Sequence, residues 1–120
     1  MQKINLSEKF GLFTDRWRPK VIATVNGHEV KIVKVKGVFP WHRHENEDEF
    51  FMVWKGSFSV EFRNRVVNLG PGECLVVPRG IDHRTCADDE AEILCFEPAG
   101  TVNTGNVRDE QYTAPSGVTI

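Results

Sequence analysis

The sequence predicts an all-β fold, built as a barrel or sandwich of short antiparallel strands. Short runs rich in β-branched and aromatic residues recur, turn residues separate them at regular intervals, and no segment after residue 11 has a helical period. With 120 residues, the chain has room for one domain. We expect an N-terminal segment over 1–19, one β-domain over 20–99 and an irregular tail over 100–120.

The first elements follow from capping and turn chemistry. Asn5-Leu6-Ser7-Glu8 has the spacing of a capping box, which predicts one or two helical turns near the N-terminus. Strands are predicted over Val21–Val25 and Val30–Lys36, because Asn26-Gly27 between them is a strong hairpin signal. His28 follows that turn directly, and a lone histidine at a strand start is expected to be solvated. It is therefore not a candidate site residue.

Four residues in the middle of the chain are candidate metal ligands. His42 and His44 alternate along a segment predicted to be a strand, so both imidazoles point to one side. If residues 45–48 form a four-residue hairpin loop, Glu49 lies opposite His44, where cross-strand Cβ atoms are roughly 4.5–5.5 Å apart. His83, which follows a turn-rich run, is the fourth candidate. Three imidazoles and a carboxylate unpaired in a β-core would cost several kcal/mol, so we expect them to bind a metal ion.

The other charged residues near this group are weaker candidates. Glu47 lies in the middle of the predicted turn, and Glu45 alternates away from the histidines. Arg43 and Arg79 flank the group in sequence and could meet an anionic substrate. Arg43 also alternates away from the ligands, so we expect it to face solvent or an interface.

The strands after the candidate ligands must agree with their orientation. If Glu49 points inward, so do Phe51 and Val53. A two-residue loop at Lys55-Gly56 would form a hairpin with a second strand. The inward residues of that strand would be Phe58, Val60 and Phe62. We expect these apolar side chains to form core, with a substrate wall as the alternative.

The same parity sends Phe50, Met52 and Trp54 to the outer face of the sheet. Three apolar side chains in a row on the outer face form an apolar patch. Such a patch predicts an interface, so we expect a homodimer. The alternative is that the N-terminal segment 10–13 covers the patch within one chain.

The remaining strands are predicted from apolar runs between turn residues. Gly70-Pro71-Gly72 forms a turn, and Pro98 ends the last strand. The predicted strands lie over 66–69, over Leu75–Val77 as a short buried strand, and over Ala91–Phe96. We expect the tail to be an irregular segment that packs on the barrel through three isolated apolar residues: Val107, Tyr112 and Val118.

Two motifs of this chain resemble those of the cupin family, whose members are small β-barrels. In this chain the residues that match the first cupin motif are Gly37, His42-x-His44, Glu49 and Gly56. Those that match the second are Gly72, Pro78, Gly80 and His83. The resemblance implies a double-stranded β-helix, or jelly-roll barrel, in which the glycines and the proline form turns. It also implies that the metal ligands are His42, His44, Glu49 and His83. The chain departs from the family pattern in the shorter spacing before His42 and in having Ala87 where asparagine is common.

The donor set points to function. Three imidazoles and one carboxylate suit zinc, manganese, iron, nickel or copper, so we expect one divalent transition-metal ion per chain. Four protein ligands on an octahedral ion leave two positions for a small-molecule substrate. The favoured function is an isomerase or epimerase of a sugar or another hydroxy-carbonyl compound. The alternatives are an Fe(II)-dependent dioxygenase and a non-catalytic sensor or binding protein.

Composition restricts the expected partners and location. The formal net charge is −2 and no Lys/Arg cluster stands out, so neither nucleic acid nor an anionic membrane is an expected partner. No apolar run approaches the roughly 18 residues of a membrane span, and no secretory signal is visible, so we expect a cytoplasmic protein. Cys74, Cys86 and Cys95 are odd in number, which favours free thiols in a reducing compartment.

Overall fold

The computed structural model describes residues 1–120 and confirms the predicted all-β fold. One short helix precedes all the strands. No helix is long and apolar enough to span a membrane. The elements are α1 (Leu6–Phe10), β1 (Lys20–Val25), β2 (His28–Val38), β3 (Glu49–Lys55), β4 (Phe58–Phe62), β5 (Arg65–Leu69), β6 (Cys74–Val77) and β7 (His83–Pro98).

The N-terminal elements form as their cap and turn predict. Asn5 caps helix α1, because the backbone N–H of Glu8 donates a hydrogen bond of 3.0 Å to its Oδ1. Strands β1 and β2 form an antiparallel hairpin. Asn26 and Gly27 between them have φ angles of 48° and 76°, the left-handed values that a two-residue type I′ turn requires.

Strand β7 joins the two halves of the barrel, because it is 16 residues long and changes partners along its length. Its first residues pair with β4, where His83 lies opposite Phe62. Its later residues lie between β2 and β3, so that Ile93 pairs with Val33 on one side and Val53 on the other. The larger sheet has the order β1-β2-β7-β3-β6, and β5 pairs with β4. The result is a jelly-roll barrel.

The predicted hairpin around Lys55-Gly56 does not form. Strand β3 pairs with β6 and β7, whereas β4 pairs with β5 and β7. The inward orientation is nevertheless as predicted for four residues that are at most 7% exposed: Phe51, Val53, Phe58 and Val60. Phe62 is half-buried. Alternation is a property of each strand alone, whereas its partners depend on distant segments, so the pairing was wrong while the orientation was right.

Two later strands differ from their predictions. Strand β6 includes Leu75–Val77, but only Val77 is buried. Val76 lies on the outer face beside its partner Phe50 and is 54% exposed. The strand predicted over Ala91–Phe96 begins earlier, at His83, because its first residues pair with β4. Local apolar runs therefore located both strands without defining their burial or length.

The tail after β7 is irregular, as predicted, and packs along the barrel. Thr104 and Ala114 provide buried contacts, whereas the predicted anchor Val118 is 39% exposed. The other two predicted anchors are half-buried: Val107 and Tyr112. The end of the tail pairs with strand β1 through an isolated bridge.

Candidate metal centre

The structure brings the four candidate ligands together inside the barrel. His42 and His44 lie between β2 and β3, Glu49 is the first residue of β3, and His83 is the first residue of β7. Each is at most 5% exposed. One nitrogen or oxygen atom from each lies within 4.8 Å of the others, so the group could hold a metal ion. The remaining histidine, His28, lies outside the group, as expected.

The four side chains converge by a different route from the predicted single hairpin. His42 and His83 exchange two backbone hydrogen bonds of 2.9 Å. The carbonyl of His44 accepts a hydrogen bond of 2.7 Å from the N–H of Gly80. Glu49 pairs with β6 rather than lying opposite His44, so the predicted register was wrong. Neither His42 nor His44 lies in a regular strand. Their backbones bond to His83 at the start of β7 and to Gly80 in the loop before it, and not to β3.

Backbone carbonyl groups orient two of the imidazoles. The Nδ1 atom of His42 lies 2.8 Å from the carbonyl oxygen of Pro40, and that of His83 lies 2.9 Å from the carbonyl oxygen of Ile81. Because a carbonyl oxygen only accepts, each Nδ1 must carry a proton. The second nitrogen, Nε2, is left as the metal-binding atom once it is deprotonated.

The charges of the centre depend on Glu49. Its Oε1 lies 2.9 Å from His44 Nε2 and 3.2 Å from His83 Nε2. Burial opposes ionisation, but the contacts with both histidines outweigh it and hold the pKa of Glu49 well below its usual value. Burial also lowers the pKa of His83, but Glu49 outweighs this effect and raises that pKa. Burial, assisted by His83, lowers the pKa of His42 to about 4, so its imidazole is neutral at pH 7.

One polar atom of the centre has no hydrogen-bond partner. His44 Nε2 is buried and, despite its distance of 2.9 Å from Glu49, makes no hydrogen bond to it. An unpartnered buried nitrogen is destabilising, and a metal ion can accept its lone pair. Metal ligands must also be deprotonated, as neutral His42 and anionic Glu49 are. The residues therefore fit a divalent transition-metal ion.

The other charged residues of the loop do not belong to the group. Glu45 pairs with Arg43 at the surface. Arg79 binds Asp48 through its backbone N–H at 2.9 Å and through its guanidinium at 3.3 Å. Glu47 is half-buried but does not join the ligands. Arg43 does not line the cavities that include Glu49, whereas Arg79 lines an open cleft on the other side of Glu49 and Glu97.

A cavity of about 470 Å³, including its open mouth, adjoins the centre. His42 and Glu49 form part of its polar lining, and most of its other walls are apolar. The inward-facing residues Phe51, Phe58 and Val53 all belong to the hydrophobic core, and Phe51 and Phe58 also line the cavity. This lining suits a small molecule with a polar end and an apolar body.

Sequence analysis missed a buried ion cluster beside the centre. Lys31 Nζ lies 3.0 Å from Glu97 Oε1 and 3.6 Å from Glu29 Oε1. All three residues are at most 9% exposed, and Glu97 lines the cavity. Strand alternation could have located Glu97, because it shares the inward face of β7 with Ala91, Ile93 and Cys95.

Glu97 has an unusual environment for a carboxyl group. Burial raises its pKa well above the ordinary value, and the neighbouring Glu49 adds to this effect while Lys31 opposes it. Its Oε2 atom is buried without a hydrogen-bond partner. Since Glu97 also lines the cavity, its carboxyl group lies beside any molecule bound there.

The tail holds the segment that carries two of the candidate ligands. The N–H of Arg43 donates to Asn106 Oδ1 at 2.8 Å, and the N–H of Asn106 donates to the carbonyl of Arg43 at 3.0 Å. Gly105 packs so closely that a Cβ atom there would overlap the same carbonyl and press on the His42 ring. The residue types of the tail carry no signal of this contact, since they are common in irregular segments.

Proteins of known sequence or structure share this fold. The profile of the cupin domain family matches residues 24–97. The chain is 32% identical over 77 residues to the uncharacterized protein YdbB of Bacillus subtilis (strain 168), which is 63% of this chain and 68% of that protein. A cupin-2 domain containing protein from Shewanella frigidimarina has a TM-score of 0.78 at 42% identity, covering 79% of this chain and 93% of its own. Protein NMB1881 from Neisseria meningitidis has a TM-score of 0.75 at 25% identity, covering 82% and 100%.

Proposed function

This chain belongs to the cupin domain family, and from that premise we propose that it is a metal-dependent isomerase or epimerase of a small hydroxy-carbonyl compound. The proposed ligands of one divalent ion are His42, His44, Glu49 and His83. Zinc, manganese, iron and nickel all suit this donor set. The observation that carries the proposal is Glu97, a buried carboxyl group that lines the cavity beside these ligands and has one oxygen without a hydrogen-bond partner.

The proposed ligands leave room for a substrate. An octahedral ion held by these four residues would have two further positions, enough for a hydroxyl group and the adjacent carbonyl oxygen. Once bound, the ion supplies Lewis acidity, which polarises the carbonyl and makes the neighbouring C–H bond more acidic. Because the cavity is mostly apolar, it also favours a substrate with few hydroxyl groups beyond these two.

In the proposed reaction, Glu97 moves the proton. Lys31 holds its Oε1 at 3.0 Å, which leaves Oε2 without a partner. As a carboxylate, Oε2 takes a proton from the carbon that bears the hydroxyl group and delivers it to the former carbonyl carbon. The hydroxyl proton moves to the former carbonyl oxygen. Substrate and product are isomers, so the reaction consumes no oxidant or reductant.

The test is hydrogen exchange with solvent. Protein loaded with zinc or manganese is incubated without oxygen in D₂O with a set of small hydroxy-ketones and hydroxy-aldehydes, and proton NMR follows C–H exchange and isomer formation. Wild-type protein should exchange at least one compound. Glu97→Gln should keep its metal and lose about 100-fold or more of the exchange rate. Glu92→Gln, a neighbour on the outer side of β7, is the matched control.

The two alternative functions predict different results in the same experiment. Oxygen uptake that requires Fe(II) and is stoichiometric with substrate would contradict the proposal and support a dioxygenase. Binding of a compound without exchange in any metal form would support a non-catalytic binding protein. Equal exchange by wild-type protein and Glu97→Gln would show that another group moves the proton.

A further inference from the structure

One wall of the cavity is supplied by the terminal segments rather than by the barrel. Trp17, which precedes β1, lines the cavity together with Asn103 of the tail. Trp17 lies on Phe39 with ring centroids 4.8 Å apart, and Tyr112 meets both rings edge-on. Phe39 in turn lies 5.3 Å from the ring of His42. A continuous series of aromatic contacts therefore extends from the proposed metal ligands to the wall.

Trp17 has an unfavourable backbone conformation. Its φ angle is 62°, a left-handed value that is rare for a bulky aromatic residue. Its backbone N–H donates to the carbonyl of Lys34 at 2.8 Å, and its indole Nε1–H donates to the carbonyl of Lys36 at 2.9 Å. Strain of this kind persists where the surroundings fix a residue, and it is concentrated at ligand sites.

Asn103 fastens this wall to the tail. Its Nδ2 donates to the carbonyl of Trp17 at 3.2 Å and to that of Tyr112 at 2.8 Å, and its Oδ1 accepts from the N–H of Ala114 at 3.0 Å. These bonds use both amide hydrogens and the amide oxygen. Asn103 therefore positions Trp17 rather than contacting a ligand through its amide.

The lining restricts the shape of a ligand. The cavity measures about 470 Å³ with the open solvent at its mouth, and its mostly apolar walls give a ring a surface on which to pack. A saturated polyol would leave hydroxyl groups unpaired against the aromatic and aliphatic walls. A flat ring instead gains contact with the indole face.

We propose that Trp17 is a specificity-determining residue of this cavity, and that the ligand is an unsaturated single-ring compound whose hydroxyl group lies on a hydrogen-bearing carbon next to a carbonyl. The inference rests on the proposed function for the polar end of the ligand. The two oxygens point to the metal-ligand residues, and the ring packs on Trp17. Asn103 is the positioning residue that keeps Trp17 in place.

The test compares two probes on zinc-loaded protein by calorimetry. Maltol is a flat ring with adjacent hydroxyl and carbonyl groups, and it serves as a non-reacting probe because its hydroxyl-bearing carbon has no hydrogen. The second probe, 2-hydroxycyclohexanone, carries the same two groups on a saturated ring. The preference for maltol is compared among variants, so that its intrinsic affinity for zinc cancels. Trp17→Leu should reduce the preference about fivefold to tenfold, and Trp17→Phe should restore most of it. Trp54→Leu, on the outer face of β3, should have no effect.

Asn103→Ala separates positioning from general stability. It should reduce the maltol preference in the same direction as Trp17→Leu, while the zinc content stays at the wild-type level. Proton NMR of the wild-type chain provides a readout that needs no variant. Maltol should shift the indole N–H signal of Trp17 and leave that of Trp54 unchanged.

The outcomes separate this inference from the proposed function. If the wild-type chain binds no zinc, the proposed function fails. The role of Trp17 can then still be tested, by adding maltol to the metal-free chain and following the indole N–H signal of Trp17. If zinc binds but Trp17→Leu keeps the full preference for maltol, the specificity role of Trp17 is overturned. An indole signal of Trp17 that does not move with bound maltol would overturn it as well.

Discussion

Gly105 of the tail packs against the backbone carbonyl of Arg43, the residue between His42 and His44. The φ angle of Gly105 is 56°, and a Cβ atom at this position would overlap the Arg43 carbonyl. The neighbouring Asn106 adds two hydrogen bonds to the same residue. A segment outside the barrel strands therefore fixes the geometry of two proposed ligands.

Gly105→Ala should weaken metal binding although the residue is not a ligand. The new methyl group must displace the Arg43 backbone, and the histidines on either side move with it, so we expect zinc affinity to fall by about tenfold or more. Gly117→Ala is the matched control, because Gly117 also has a positive φ of 74° but open space around its Cβ position. Competition titration with a zinc indicator measures both. Equal zinc affinities would show that the tail does not support the site.

His44→Ala should remove most of the bound metal while the barrel survives. The substitution leaves three ligands, so we expect the zinc affinity to fall by about 100-fold or more, with an unchanged far-ultraviolet circular dichroism spectrum. His28→Ala, outside the group, serves as the control and should keep its metal. Full metal content in His44→Ala would refute the proposed ligand set.

Glu49 and Glu47 should respond differently to the same chemical change. Glu49→Gln removes the buried carboxylate that contacts His44 and His83, so metal content should fall sharply. Glu47→Gln should be nearly silent, because Glu47 lies outside the group. Metal analysis of both proteins, purified without chelator or nickel resin, measures the difference. The reverse result would assign the carboxylate ligand to the loop.

Removing Lys31 should destabilise the barrel without touching a proposed ligand. Lys31→Met leaves Glu97 and Glu29 buried without their cation, which we expect to cost about 3–5 kcal/mol. Lys31→Met combined with Glu97→Gln should recover part of this loss, because one of the unpaired charges is gone. Urea unfolding of the two variants and wild type measures the free energies. A loss below about 1 kcal/mol in Lys31→Met would show that water reaches the cluster.

The outward patch of β3 should form a homodimer interface. The N-terminal segment 10–13 lies on β1 and β2, where Phe13 contacts Lys20 and Lys34. Trp54 of the patch is 41% exposed. We expect sedimentation at micromolar concentration to give twice the chain mass, and Met52→Lys to give a monomer. Val66→Lys, at a 53% exposed position on β5, is the control and should stay dimeric. A wild-type monomer at this concentration would contradict the prediction.

Strand alternation and residue type were readable from the sequence. The period of two separated Phe51 and Val53 from the outward Trp54, because side chains alternate whatever the partner strand is. The Asn26-Gly27 turn and the Asn5 cap were equally local, and both formed as predicted. The four residues singled out as candidate ligands also lie together, although the register proposed to bring them together was wrong.

Strand pairing, and everything that depends on it, was decided by the tertiary structure. Glu49 pairs with β6 and the histidine segment bonds to the loop before β7, because these contacts join segments far apart in sequence. The pairing of Lys31 with Glu97 arises because β2 and β7 are neighbours in the sheet. The contact of Gly105 with Arg43 likewise depends on where the irregular tail packs on the barrel, and no local periodicity of the sequence encodes that position.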